Sequence, residues 1–482
     1  MDVHVRLSGK GELSEQIYRQ IFEAIFDGRL PPGARLPTTR DLAIQLEVSR
    51  NTVGAAYERL LAEGVTTGRV GAGTFVAEEQ RPTPAAVARR APAGAVQPRD
   101  VWRTIPVLPT RQRGDAAFDF SPSTPDDTLF PLTAWRRLVA SEFRHSASPY
   151  ATYGPPAGHA PLRVAIARHV GLSRAVRAEA DDVVVTQGAQ QAFDLIGRVL
   201  ITPGMCVAVE DPGYSRVRLL FRTLGARVVG VPVDDEGLVV DAIPKAARLV
   251  YVTPSHQFPL GTTMSLRRRT ALLAWAERRE GVIVEDDYDT EFRFGSRPLD
   301  PLQSLDRVGR VIYVGSFSKV MLPALRVGFL VAPVSLQPAL HAAKQLTDWH
   351  GDLGTQAALT RFIDEGLLAR HIRTVTREYA RRYARIAGGI AQQLSPWLRV
   401  VPSAAGMHLA ATMAPGTTVD MAHVVARAGA HGVAVRRLAD FYLDEPATDG
   451  LVFGYGAVAG PRIDEGLTRL ASAFAGVARR LR

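Results

Sequence analysis

Two groups of polar residues follow neighbouring apolar runs in the middle of the chain. The first run, residues 282–284, is followed by Asp286 and Tyr288, and the second, residues 311–314, is followed by Ser316, Ser318, Lys319 and Arg326. Short β-branched runs bounded by turn residues are typical of buried parallel strands, and α/β sheets bind ligands at the carboxyl ends of such strands. We therefore expect a carboxylate, a lysine amine, two hydroxyls and a guanidinium to converge at one edge of a sheet.

This set of groups suits one cofactor, pyridoxal 5′-phosphate (PLP). Lys319 would form a Schiff base with it, Asp286 would pair with its pyridinium nitrogen, and Ser316, Ser318 and Arg326 would bind its phosphate. A solvated loop lysine is the simpler alternative. The sequence weighs against it, because only four of the 58 basic residues are lysines. An arginine cannot lose its proton to become a nucleophile, whereas a desolvated lysine can.

Two other segments supply further parts of this site. Residues 182–186 are predicted to form a strand, and Gly188 then opens a helix in which the backbone N–H groups of Ala189 and Gln190 would bind phosphate. Tyr214 follows another apolar strand, residues 207–209. Its ring would either stack on the cofactor or pack as an ordinary half-buried tyrosine, and the sequence leaves both open.

Residues 119–131, residues 153–163 and the motifs above resemble the fold-type I aminotransferases. Residues 253–259, Thr-Pro-Ser-His-Gln-Phe-Pro, resemble a narrower group, the MocR/GabR family of GntR-type transcriptional regulators. The resemblance implies a PLP-dependent α/β fold, with a large domain built on a mostly parallel sheet and a smaller C-terminal α+β domain. It also implies that Tyr153 reaches the phosphate of the neighbouring subunit and that Tyr288 hydrogen-bonds the phenolic oxygen of the cofactor. We therefore expect a homodimer.

The N-terminal residues predict a separate DNA-binding domain. Ile17, Ile21 and Ile25 give an amphipathic helix that begins near Leu13, Thr38 opens a second helix, and Ser49 caps a third. Alternating apolar and polar residues with glycines from 65 to 76 then predict a β-hairpin. Such an arrangement is a winged helix-turn-helix, whose third helix enters the major groove of DNA.

The start of the third helix carries side chains that can donate to phosphates or bases. These are Ser49, Arg50, Asn51 and Thr52. A helix start that serves only as a cap is the alternative. The segment also resembles the GntR signature, which implies that operator DNA is contacted by Arg40, Ser49, Arg50, Asn51 and the wing glycines Gly71 and Gly73. An arginine that meets guanine is the commonest specific contact.

The distribution of charge sharpens this expectation. The whole chain carries a formal charge of +10, which favours a polyanionic partner, yet residues 1–80 hold nine basic against eleven acidic residues. DNA affinity must therefore come from the local placement of Arg40, Arg50 and Arg69. Residues 81–115 hold seven arginines and two acids and are rich in proline and alanine. This segment reads as a partly extended linker that either contacts the DNA backbone or is a solvated tether.

The expected domains are a winged helix-turn-helix over residues 1–79, a linker over 80–115 and an aminotransferase-like domain over 116–482. The last divides into a large domain of about 150–344 and a small domain of about 345–482. No apolar run reaches the roughly 18 residues of a membrane span, and no signal peptide is recognised, so we expect a cytoplasmic protein. We expect no metal, because no Cys/His cluster has ligand spacing.

Two functions fit these features. One is a transcription factor that senses an amine, an amino acid or PLP through its PLP site, and the other is a working aminotransferase with an accessory DNA-binding domain. The chain has Phe258 where many such enzymes place an asparagine and Val452 where they place a carboxylate-binding arginine. Arg436 and Arg437 are candidate replacements for that arginine. We favour the regulator, with weak or vestigial transaminase activity at most.

Overall fold

The computed structural model describes residues 5–9, 12–69, 72–77, 94–106, 116–144, 152–294, 300–403 and 405–478. The chain forms two compact units, Met1–Gln97 and Pro98–Arg482. Within the described ranges, no helix combines the length and the apolar character needed to cross a membrane.

The N-terminal unit has the predicted winged helix-turn-helix order. Its elements are α1 (Leu13–Phe26), α2 (Thr39–Gln45), α3 (Arg50–Ala62) and an antiparallel hairpin of β1 (Thr66–Arg69) and β2 (Gly73–Val76). The apolar faces of the helices form a core that includes Ile17, Ile21, Leu42, Val53 and Leu60. Both predicted caps are present, because Thr38 Oγ1 accepts from Asp41 N–H and Ser49 Oγ accepts from Thr52 N–H, each at 3.1 Å. A cap satisfies an N–H group that would otherwise lack a partner at the helix start.

The second unit is built on a mostly parallel sheet of eight strands among the described residues. In spatial order they are β4, β11, β10, β9, β8, β5, β6 and β7. Strands β5, β6, β8, β9 and β10 pair in parallel, whereas β11 and β7 run antiparallel to their neighbours. In chain order the strands of this unit begin with β3 (Phe118–Asp119), β4 (Val183–Thr186), β5 (Cys206–Asp211), β6 (Arg227–Asp234), β7 (Gly237–Leu238), β8 (Ala247–Val252), β9 (Val282–Asp287), β10 (Val311–Ser316) and β11 (Gly328–Val331).

Helices cover both faces of this sheet. All helices described in the second unit are α4 (Asp100–Thr104), α5 (Leu132–Glu142), α6 (Ala160–Arg174), α7 (Ala189–Leu200), α8 (Ser215–Thr223), α9 (Leu266–Arg279), α10 (Leu302–Leu305), α11 (Gln337–Thr347), α12 (Leu353–Asp364), α13 (Leu367–Gly389), α14 (Met421–Ala430) and α15 (Ile463–Ala478), and only some of them lie on this sheet. Helices α7, α8 and α11 pack on one face and α9 and α10 on the other. Side chains of a strand alternate between faces, so strands covered on both sides are apolar throughout.

A smaller antiparallel layer follows towards the C-terminus. Its strands are β12 (Leu398–Val400), β13 (His408–Met413), β15 (Arg436–Arg437) and β16 (Gly450–Gly454), and β14 (Val433–Ala434) lies outside it. Strand β14 pairs in parallel with β3, so the first described segment after the expected linker joins the C-terminal part of the unit. The expected linker, residues 80–115, is described only from 94 to 106. There Arg99 Nη2 donates to Thr223 O at 3.5 Å.

Candidate functional site

The predicted polar residues lie at one edge of the large sheet. Strands β9 and β10 are parallel neighbours, with Val314 opposite Asp286, and β10 pairs with β11, with Ser316 opposite Gly328. The turn after β10 carries Ser318 and Lys319, and Arg326 lies just before β11. The fold therefore brings together the acid, the amine, the hydroxyls and the guanidinium.

Backbone N–H groups and a guanidinium come together where α7 begins. Gly188 precedes the helix with φ 72° and no side-chain cap in the described structure. A Cβ there would lie 2.8 Å from the guanidinium of Arg326, which itself donates to Gln187 O at 2.8 Å. The N–H groups of Ala189 and Gln190 are in the first turn of α7, where the helix dipole favours an anion. On the other side of these groups, Ser318 N–H donates to Ser316 Oγ at 3.1 Å. A phosphate fits these donors.

Asp286 has one satisfied and one unsatisfied oxygen. Its Oδ2 accepts from Tyr251 O–H at 2.6 Å, while Oδ1 is buried and finds no hydrogen-bond partner among the described residues. Burial raises the pKa of Asp286 to about 7. A buried acceptor without a donor is unfavourable, and the N–H of a pyridinium ring would satisfy it. Tyr251, which orients this carboxylate, carries no sequence signal because it occupies an apolar strand position.

The amine of Lys319 lies in the same region. Its Nζ donates to Ser123 O at 2.8 Å, and Ser123 has a left-handed backbone with φ 72°. Burial lowers the pKa of Lys319 to about 8, against the opposing attraction of Asp289 and Asp286. A lysine that loses its proton near neutral pH is a usable nucleophile. The sequence did not indicate the part played by Ser123.

The three predicted tyrosines have different surroundings. Tyr214 is half-buried and packs edge-on against Phe258, with ring centres 5.9 Å apart, and burial raises its pKa to about 12. Tyr288 is also half-buried, and its hydroxyl is 3.1 Å from His256 Nδ1. Tyr153 is 78% exposed and stacks on Trp349 with ring centres 5.0 Å apart. Tyr153 therefore lies at the surface of its own chain.

A buried cluster of side chains beside the site was not predicted from the sequence. It consists of His256, Asp289 and His408, whose nitrogen and oxygen atoms lie within 4.8 Å of one another. The spacing would admit a metal ion. However, both oxygens of Asp289 lie within hydrogen-bonding distance of His256 Nδ1, and Oδ2 also accepts from Met407 N–H. Hydrogen bonding therefore accounts for Asp289 and for His256 Nδ1, whereas His256 Nε2 and His408 Nδ1 are buried without a hydrogen-bond partner among the described residues.

The residues considered for a substrate carboxylate are not equivalent. Val452 is fully buried in an apolar cluster with Phe258, Leu438 and Phe441. Arg437 is held by Asp449, with Nε 2.6 Å from Oδ2. Arg436 lies opposite Val452 in the β15–β16 pair and is half-buried. Arg216, which sequence reasoning missed, is exposed and lowers the pKa of Lys319 through its charge.

The predicted DNA-binding residues lie on the surface of the N-terminal unit. Arg40, Ser49, Arg50, Asn51 and Arg69 are exposed and Thr52 is half-buried. Arg50 Nε donates to Thr39 Oγ1 at 3.3 Å, and the Arg69 guanidinium lies 4.9 Å from the ring centre of Phe75. Gly73 has φ 111°, a backbone conformation that favours glycine. Gly71 lies outside the described residues.

Comparison with known proteins agrees with both units. Residues 13–76 match the model of bacterial regulatory proteins of the gntR family, and residues 120–449 match that of aminotransferase class I and II. The probable rhizopine catabolism regulatory protein MocR of Rhizobium meliloti is 36% identical over 96% of this chain and 94% of its own. The chain belongs to the MocR-type transcriptional regulators.

Other relatives cover either the whole MocR-type chain or its second unit. The pyridoxine biosynthesis transcriptional regulator PdxR of Corynebacterium glutamicum is 32% identical over 95% of this chain and 94% of its own. The crystal structure of LysN, an α-aminoadipate aminotransferase of Thermus thermophilus, is 30% identical with a TM-score of 0.69, over 76% of this chain and 94% of that one. The MocR-type architecture thus combines a GntR unit with an aminotransferase fold.

Proposed function

We propose that this MocR-type regulator binds PLP at Lys319 and uses the PLP site to sense an amine, an amino acid or PLP itself. The observation that carries the proposal is the unsatisfied, buried Oδ1 of Asp286 beside a lysine whose pKa is lowered to about 8. The proposed partners are operator DNA, which the winged helix would bind, and a second copy of the chain. A regulator of this kind would act in the cytoplasm.

Different residues of the site would bind different parts of the cofactor. Asp286 would keep a proton on the ring nitrogen, and the Arg326 guanidinium, the Ser316 and Ser318 hydroxyls and the first turn of α7 would bind the phosphate. Lys319 would provide the amine for attachment, the Tyr288 hydroxyl would hydrogen-bond the phenolic oxygen, and the half-buried ring of Tyr214 would pack against the cofactor. When bound, PLP supplies an electron sink for a primary amine joined to it.

The substrate end of the pocket favours a sensor over an efficient transaminase. Val452 offers no charge, and Arg437 is already neutralised by Asp449 at 2.6 Å. Arg436 has a looser partner, with its Nε 3.4 Å from Asp440 Oδ2, and lies opposite Val452. Arg436 is therefore the better candidate for binding a carboxylate. If it does not, the effector is PLP or an amine without a carboxylate.

The proposed homodimer would complete the site through Tyr153. Tyr153 is 78% exposed and stacks on Trp349, which is itself 41% exposed. Adjacent exposed aromatic rings are typical of surfaces that another chain covers. Sedimentation of the PLP-loaded protein is expected to give a dimer, and a fully loaded monomer would remove the case for Tyr153 at the phosphate.

The function is tested by measuring DNA binding and turnover in the same samples. Amines, amino acids and PLP are titrated against operator DNA while keto-acid product is assayed. We expect at least one ligand to change the operator affinity without multiple turnovers, because a ligand shifts a conformational equilibrium only through its differential affinity for the two states. Rapid multiple turnover with an amino acid, without any ligand effect on DNA binding, would establish the aminotransferase instead.

A further inference from the structure

Beneath Tyr288 lies a fully buried pair of side chains, His256 and Asp289. The two carboxylate oxygens of Asp289 are 3.0 and 3.1 Å from His256 Nδ1. The Oδ2 atom also accepts from the N–H of Met407 at 3.1 Å. The carboxylate of Asp289 is thus the acceptor that both His256 Nδ1 and the Met407 N–H face.

This arrangement fixes the tautomer of His256. Because Nδ1 faces two carboxylate oxygens, it carries the ring proton and donates it. The hydroxyl oxygen of Tyr288 is 3.1 Å from the same nitrogen, so it shares that N–H as a second acceptor. The proton of the Tyr288 hydroxyl is then free to be donated in another direction. In the other tautomer Nδ1 carries a lone pair, which would repel the carboxylate. The Tyr288 hydroxyl would then donate its proton to His256 Nδ1.

The surroundings of the pair leave the imidazole little freedom to turn. A Cβ on Gly406 would lie 2.0 Å from His256 Cε1, so the backbone there passes directly against the ring. On the other side, the centre of the His408 ring is 4.6 Å away. His408 Nε2 donates to Pro259 O at 3.1 Å, and burial holds the pKa of His408 well below its usual range, so this neighbour is neutral. Titratable groups that act on the pair or on Tyr288 are Glu210, Asp286, Lys319, His408 and Tyr455.

We propose that His256 and Asp289 are positioning residues that keep the Tyr288 hydroxyl as a hydrogen-bond donor to the phenolic oxygen of PLP. Tyr288 follows directly on β9, the strand that carries Asp286, so both residues face the same pocket from one element. The inference rests on the proposed function, because it needs PLP at Lys319. It adds two residues that hold the tyrosine in position from behind the pocket.

The experiment follows the absorbance of the bound cofactor as a function of pH. A donor to the phenolic oxygen stabilises the form in which the neighbouring nitrogen has lost its proton. Weakening that donor is therefore expected to raise the midpoint of the absorbance change. Tyr288→Phe is expected to raise it by about one pH unit. Asp289→Asn, which permits the other tautomer of His256, is also expected to raise it, but by less, because it removes a negative charge that raises the pKa of the Lys319 amine. His256→Leu removes the imidazole N–H without that change in charge and gives the same prediction if Asp289→Asn does not fold.

A double-mutant cycle separates positioning from a general structural effect. In the Tyr288→Phe background, Asp289→Asn should no longer raise the midpoint, since the residue that it positions is already gone, and only the opposite effect of losing the Asp289 charge should remain. Glu285→Gln is the matched control, because it removes a fully buried carboxylate from the same strand, where Glu285 accepts from the N–H groups of Leu302 and Gln303. It points to the opposite face of the sheet, so it should leave the midpoint unchanged.

Each outcome has a defined meaning. Full shifts from Asp289→Asn in both backgrounds, or an equal shift from Glu285→Gln, would overturn the positioning role. Stoichiometric metal in the purified protein would do so as well. Borohydride reduction of the wild type distinguishes the two proposals. If no pyridoxyl group is found on Lys319, the proposed function is contradicted. If Lys319 is labelled normally but the variants do not shift the midpoint of the absorbance change, only this inference is contradicted.

Discussion

The cofactor pocket and the DNA-binding face hold their polar groups in opposite ways. In the pocket, burial raises the pKa of Asp286 to about 7 and lowers that of Lys319 to about 8. On the winged helix, Arg50 and Asn51 are exposed at the start of a helix that Ser49 caps and whose apolar face packs in the core of the unit. Chemistry in the pocket therefore depends on polar groups that burial perturbs, whereas the side chains expected to meet DNA lie in solvent beside a local cap.

The largest effect expected from this contrast is at Lys319. Lys319→Ala should abolish borohydride-trappable pyridoxyl altogether while the winged helix remains folded, because no other side chain in the pocket offers an amine within the described structure. Peptide mapping by mass spectrometry is the measurement. Lys344→Ala is the control, since Lys344 is buried and paired with Asp348 at 2.5 Å. Label found at Lys245 or Lys344 in the wild type would refute the site assignment.

The burial of Asp286 is expected to lower the stability of the PLP-free protein at high pH. Its pKa is raised from 3.8 to about 7, so the native PLP-free protein retains a proton that the unfolded chain releases, and stability falls as pH rises between these values. Asp286→Asn should therefore make the PLP-free protein more stable at pH 8, by on the order of 2 kcal/mol, with little difference near pH 4. The same variant should bind PLP at least about tenfold more weakly, since the charge partner is lost. Denaturant unfolding and PLP titration measure the two effects, and a variant less stable at both pH values would contradict the first.

On the DNA face, two arginines should behave differently from each other. Arg50→Ala should relax the base preference at one operator position by roughly 1–3 kcal/mol, because Arg50 lies in the first turn of the recognition helix. Arg69→Ala, in the wing, should weaken binding to all sequences and reduce the salt slope by about one. Titration against specific and random DNA at several salt concentrations is the check. If both variants lost the same affinity for specific and for random DNA, the separate roles of Arg50 and Arg69 would be contradicted.

The smallest expected effect concerns the helix caps. Ser49→Ala and Thr38→Ala should each destabilise the N-terminal unit by about 1 kcal/mol, because each removes an acceptor for a backbone N–H at a helix start. Only Ser49→Ala removes a side chain expected to meet DNA, so it should also weaken operator binding beyond the loss of stability. Thermal unfolding and DNA titration separate these contributions. If both variants bound the operator equally well, Ser49 would be a cap and nothing more.

The same contrast explains what the sequence could predict. The helix starts at Thr38 and Ser49 and the strands over 282–284 and 311–314 were predicted, because caps and apolar runs are local signals. The convergence of Asp286 with the segment around Lys319 was also predictable, since parallel strands end at one edge of a sheet.

Other parts of the site gave no such signal. Tyr251 sits in an apolar strand like any packing residue, and Ser123 contributes a backbone carbonyl that any residue would supply. His256 and His408 are 152 residues apart in sequence and come into contact only in the folded unit. Such contacts depend on tertiary packing and cannot be predicted from the spacing of residues in the sequence.

The contact between Lys319 and Ser123 bears on where a DNA-binding unit can be attached. Ser123 belongs to the first segment after the expected linker, a segment tied down by β3 on β14 and by the ion pair of Asp126 with Arg382 at 2.7 Å. An amine engaged by a ligand cannot also donate to Ser123 O, so this segment gains or loses a partner as the site changes. If PLP binds Lys319 as proposed, the winged helix is therefore joined, through the linker, to the end of the second unit at which a hydrogen-bond partner changes.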